Sequence, residues 1–91
     1  TANIVPLINL RISLLYYQLK KYEKSLKIAE SLANSSFEDR GIILSGQIYE
    51  YKLNDLNKAQ KYYMRIINEH PNSIFSEPIR YHIRSLTKNN L

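Results

Sequence analysis

Gly41 and Gly46 stand at the glycine spacing of a phosphate-binding loop, in which backbone amides wrap the phosphates of a nucleotide. The chemistry fails at the neighbouring positions. Gln47 and Ile48 occupy the places where a lysine and a Ser or Thr would reach the phosphates and the magnesium ion. Both glycines fall inside an expected helix and read as points of close packing. The two histidines, His70 and His82, lie on separate expected helices, and the chain has no cysteine. A zinc site takes three or four ligands at matched spacing, so no metal is expected. His70 reads instead as a residue at a helix C-terminus, where it suits the dipole, and His82 as a surface or groove residue. The serines fall at helix starts or at small packing positions, without a base and an orienting acid beside them. No catalytic residue and no cofactor are expected, and the chain reads as a non-enzyme.

What remains is binding chemistry, and tyrosine carries it. Eight of the 91 residues are tyrosine, a residue enriched at protein interfaces because it covers area while keeping a polar handle. Tyr16, Tyr22, Tyr49 and Tyr63 fall at positions expected to fill a core, whereas Tyr17, Tyr51, Tyr62 and Tyr81 are left over.

The elements that position these residues are helices. Glycine (2) and proline (3) are scarce and 44% of the residues are hydrophobic, which favours helices joined by short connections in one small domain. Shifting the sequence by 34 residues places Leu10 on Leu44, Leu14 on Ile48, Tyr17 on Tyr51, Leu19 on Leu53, Tyr22 on Leu56, Lys24 on Lys58, Ser25 on Ala59 and Leu32 on Ile66. A period of this length marks a stacked array of helical hairpins. Helical spacing of apolar residues and the positions of breakers predict five helices, over 4–20, 23–34, 38–53, 56–70 and 76–88. Ser36 with Asp39 three residues on reads as a cap for the third helix, and Asn54-Asp55 as a turn and cap for the fourth. Glu23 and Lys27 are spaced as an ion pair one helical turn apart. Pro71 closes the fourth helix, and Pro78 fits only in the first turn of the fifth.

The residues resemble tetratricopeptide repeats. Gly46, Tyr49, the turn Asn54-Asp55-Leu56, Ala59, Tyr63 and Pro71 match the signature of that family. Ser13, Tyr16, Tyr22, Ser25 and Ala29 match it in a first unit, which has Phe37 where the closing proline would stand. One residue more than the family spacing lies between Tyr49 and Asp55. The resemblance implies an all-α, right-handed superhelix of two helix–turn–helix units, about 6–39 and 40–73, followed by a capping helix over about 76–88. It also implies a protein-interaction scaffold whose first helices line a concave groove. The family's groove positions correspond to Leu7, Leu10, Leu14 and Tyr17 in the first unit, and to Arg40, Ile43, Gln47 and Glu50 in the second. Tyr51 lies beside them and His82 on the last helix, with the register of the second unit open by one residue. The stretch from Tyr62 to Ser73 is similar to bacterial cell-envelope members of the family, so periplasm or cell envelope stands beside cytoplasm as an expected location.

The expected partner is another protein or a peptide. A carboxylate-gripping groove is not expected, because Leu10 and Leu14 stand where that subtype needs Lys and Asn. The first helix is apolar around most of its circumference, from Ile4 through Leu19, and such a helix expects cover on several sides. Upstream repeats, which the opening Thr1 suggests, or a homo-oligomer through this helix would supply that cover. The stretch is too short and too polar to span a membrane. A net charge of +5 raises nucleic acid as an alternative partner, but the basic residues are spread over several helices with acids between them, instead of forming one stripe.

Overall fold

The computed structural model describes residues 4–89. Helix α1 (Val5–Gln18) and helix α2 (Tyr22–Glu30) form a first antiparallel hairpin. Helix α3 (Glu38–Gln47) continues directly into a π-helical turn (Ile48–Lys52) and pairs with α4 (Leu56–Glu69) in a second hairpin. Helix α5 (Ser76–Asn89) lies against α4. Among the described residues there is no strand. The Cα atoms span 47 × 30 × 14 Å, the thickness of one row of hairpins, so each helix is covered only by its neighbours in the row.

Local chemistry explains the boundaries. Proline in the first turn starts α1 without cost, because the amide it lacks would have no intrahelical partner there. Lys20, Asn34 and Asn54 take left-handed backbone angles, with φ between 54° and 64°, and each reverses the chain after a helical stretch. Asp55 caps α4 by accepting the Lys58 amide at 3.1 Å, as expected. The start of α3 departs from expectation. Ser36 caps nothing; the Ser35 hydroxyl accepts the Phe37 amide at 3.1 Å, and the Glu38 carboxylate accepts the Asn34 amide at 2.9 Å. The loop before α3 is thus folded on itself, and α3 has no side-chain cap. Helix α2 also ends earlier than its apolar spacing suggests, in a series of turns over 31–34. Glu23 and Lys27 form no ion pair: the chain's ion pairs among the described residues all use Arg or His.

Helix α3 is the centre of the packing. Ile42 and Ile43 meet Ala59, Tyr63, Ile66 and Ile79 on one side. Leu44 and Ile48 meet Leu26 and Ala29 on the other. Both glycines of the chain lie on this helix, where a β-carbon has no room. At Gly41 it would come within 2.7 Å of the Ala29 carbonyl oxygen, and at Gly46 it would run into the ring of Tyr63. The first hairpin solves the same close approach with hydroxyls. Ser13 donates to the Ser25 carbonyl and Ser25 to the Ser13 carbonyl, both at 2.7 Å, and both side chains are fully buried. Gly46→Ala forces the Tyr63 ring or the helix aside, with an expected loss of about 1–3 kcal/mol. Urea unfolding at equilibrium measures it, as a lower midpoint with the slope unchanged.

Candidate functional site

The π-helical turn shapes the middle of the molecule. In the first hairpin the Tyr16 carbonyl accepts the Lys21 amide (2.9 Å), the residue just before α2. In the second, the equivalent Tyr49 carbonyl accepts the Asp55 amide (2.8 Å), the residue just before α4. The two closures differ by one residue (21 − 16 against 55 − 49). The extra residue counted in the sequence is therefore absorbed within 49–55, where the Leu53 amide reaches back to the Ile48 carbonyl at 3.0 Å. Turns of this kind recur at functional sites because they re-aim side chains without ending the helix.

Here the re-aimed residues are Glu50 and Tyr51. Glu50 points inward, and its side chain is 9% exposed. Its Oε1 accepts the Tyr63 hydroxyl at 2.8 Å and lies 2.7 Å from Nε2 of His82 on α5. A carboxylate so far from water needs such partners. The Tyr63 ring meets His82 edge-on at 5.4 Å between centroids, so α3, α4 and α5 converge on one polar knot. Burial pushes the Tyr63 phenol far above its usual range, and the Glu50 carboxylate pushes it further.

Tyr51, next in the chain, is 57% exposed. Its ring lies 6.5 Å from that of His82. Partial desolvation raises its hydroxyl above the usual range; the Glu50 carboxylate adds to the rise, and Tyr17 adds a smaller share. Tyr17 is half-buried, meets Tyr22 edge-on at 5.8 Å, and lies under the Lys52 ammonium. Tyr17, Tyr51 and His82 thus stand in sequence across α1, α3 with its π turn, and α5.

The remaining residues of the expected groove are placed as follows. Leu7, Leu14 and Gln47 are exposed and Leu10 is half-buried. Ile43 belongs to the core and is buried. Arg40 lies at the start of α3, away from the tyrosines, between the rings of Phe37 and Phe75 and 3.6 Å from Asp39. Sequence reasoning missed the knot of Glu50, Tyr63 and His82, because none of the three is adjacent in sequence and their meeting depends on the π turn.

A second histidine–carboxylate pair closes the opposite end of α3. His70 Nε2 lies 2.8 Å from Glu38, and Ser73 donates to Asp39 at 2.7 Å. The donor atoms of Glu38, Glu69 and His70 all lie within 4.8 Å of one another. Arg65 binds both oxygens of Glu69, and the Asn34 amide and His70 occupy Glu38, so this is an ion-pair network whose carboxylates are already matched. A cleft of about 250 Å³ between α2, α3 and α4 is floored by Ala29, Gly41, Ile42 and Ser45. Among the described residues no buried side-chain polar atom lacks a hydrogen-bond partner.

Two measurements follow from these pairs. The Asn34 amide, with His70, holds the Glu38 carboxyl below its ordinary 4.5 against the opposing effect of burial. Its stabilisation is full above that ordinary value and is lost as the pH falls through the lower, folded value. Glu38→Gln therefore flattens the acid limb of a stability–pH curve below pH 4.5. His82→Ala strips one partner from a carboxylate held out of water and costs about 1–3 kcal/mol. Thermal unfolding at neutral pH reads that loss.

Residues 43–73 match the family model described as tetratricopeptide repeat. No curated protein and no solved structure matches the chain.

Proposed function

On the premise that residues 43–73 form a tetratricopeptide repeat, a unit that mediates protein–protein interaction, we propose that this chain is a non-catalytic scaffold that docks a protein segment along the face formed by α1, α3 and α5. Residues 6–39 are, in this reading, a second and more diverged unit, and 76–88 a capping helix. The observation that carries the reading is the row formed by Tyr17, Tyr51 and His82. It crosses three helices, with Tyr51 well exposed and His82 fixed from behind by Glu50. A ring held in place loses little freedom when a partner covers it, which is why rigid aromatics dominate protein interfaces. Exposed Leu14 and Gln47 extend the row with an apolar and a polar contact.

Capture of partners from an extract of the source cells, at low and high salt, tests this. Gln47→Ala/Tyr51→Ala and Leu14→Glu alter exposed groove positions and are checked for helicity by circular dichroism. Met64→Ala, on exposed α4 surface, is the control. A defined protein retained by the wild type and the control at high salt, and reduced about tenfold or more in the groove variants, is the expected result. Retention of the same protein by the groove variants would sink the groove reading. Recovery of nucleic acid alone, lost at high salt, would replace the scaffold with a basic binding surface.

A further inference from the structure

We propose that the edge formed by the α1–α2 and α3–α4 turns, separate from the groove, is a docking site for an acidic peptide segment carrying an aliphatic anchor. The fold sorts its charges. The edge where α2 leads into α3 and α4 into α5 holds Glu30, Glu38, Asp39, Glu69 and Glu77, and its cations are Arg40, Arg65, His70 and Arg80, each within an ion pair. The opposite edge, at the α1–α2 and α3–α4 turns, carries Lys20, Lys21, Lys24, Lys52 and Lys58 against Glu23, Asp55 and Glu50, the last turned inward onto Tyr63 and His82. No lysine of the chain is in an ion pair among the described residues.

Helix stability does not explain this set. Lysines at the ends of α1 and of the π turn suit the negative end of the dipole, but Lys24 and Lys58 sit in the first turns of α2 and α4, where a positive charge is unfavourable. They occupy the same place in both hairpins. Three of the lysines are also held in position by rings: Lys24 lies 5.8 Å from the Tyr16 centroid, Lys52 5.6 Å from Tyr17 and Lys58 5.3 Å from Tyr49. These contacts order the ammonium groups without neutralising them.

The two turns are adjacent, because Lys52 from the second reaches Tyr17 in the first hairpin, and Leu53 joins Lys20, Lys21, Tyr22, Lys24 and a single acid, Glu23, around one open cleft. Leu53 is 41% exposed and Leu19, at the end of α1, 64%. Apolar surface ringed by ordered, unpaired cations matches a segment that alternates carboxylates with an aliphatic side chain. A lipid surface fits less well, since Lys24, Lys52 and Lys58 fold down over tyrosine rings instead of reaching outward around a projecting apolar wedge. A nucleic-acid backbone would leave the exposed leucines without a partner.

The probe is a fluorescent synthetic peptide of repeated Glu-Glu-Leu, titrated by anisotropy. Phosphatidylserine–phosphatidylcholine vesicles and a single-stranded DNA oligonucleotide are titrated in parallel. The decisive variant is Lys24→Glu/Lys58→Glu; because acids favour the first turn of a helix, it keeps the fold. The control Lys27→Glu/Lys61→Glu makes the same change of net charge on exposed helix surface. The expected result is peptide binding that weakens on going from about 50 to about 200 mM salt. It should fall about tenfold or more in the edge variant and stay within about twofold in the control and in Gln47→Ala/Tyr51→Ala. Independence from the groove variant separates the edge from the groove reading. Absence of peptide binding, equal losses in the edge variant and the control, or tighter binding of the vesicles or the DNA would each overturn the proposal.

Discussion

Everything in this chain depends on helices that approach until backbone meets side chain with nothing between. At the α3–α4 contact the space a β-carbon would need is taken by Tyr63, and at the α2–α3 contact by the Ala29 carbonyl and Leu32. Ser13 and Ser25 allow the same proximity in the first hairpin and add two hydrogen bonds across it. Close approach fixes the angles between hairpins, since interiors at crystal-like density transmit small displacements. The row of Tyr17, Tyr51 and His82 then follows from where the backbones are forced to lie.

Much of this was legible in the residues. Small positions at Ser13, Ser25, Gly46 and Ala59, with aromatic partners at fixed offsets, fold as the hairpin pairing they imply, and all four are buried. Asp55 caps α4 where an acid before an amphipathic run should. Ser36 misled because the turn at Asn34 folds the loop before α3 on itself, with Ser35 and Glu38 accepting loop amides, and leaves α3 without a side-chain cap.

The added residue of the second unit was legible in the sequence, and its effect on the register was not. Counting against the family spacing shows that a residue is added between Tyr49 and Asp55. It does not show whether the addition lengthens the connection after the helix or is taken up in a widened turn of the helix itself. The chain takes the second course, and this decides that Glu50 faces inward and Tyr51 outward. Ile43, one of the carried-over groove positions, is lost to the core because α3 is covered on both sides, whereas α1 has a neighbour on one side only.

The π turn also bears on how the molecule comes apart. In a row where each hairpin touches only its neighbours, opening spreads from the ends inward. Helix α5 is the last described element of the row, and its His82 is fastened to Glu50 in the π turn of the neighbouring hairpin. Fraying of the last helix therefore exposes a carboxylate in the central hairpin and loosens the irregular turn that carries it. The amides of Leu53 and Asp55, which close that turn, should exchange with solvent at the rate of the last helix instead of the rate of the α3 amides that precede them. The midpoint of the sequence is thus among the earlier places to open, and Tyr51 loses its fixed setting in the same event.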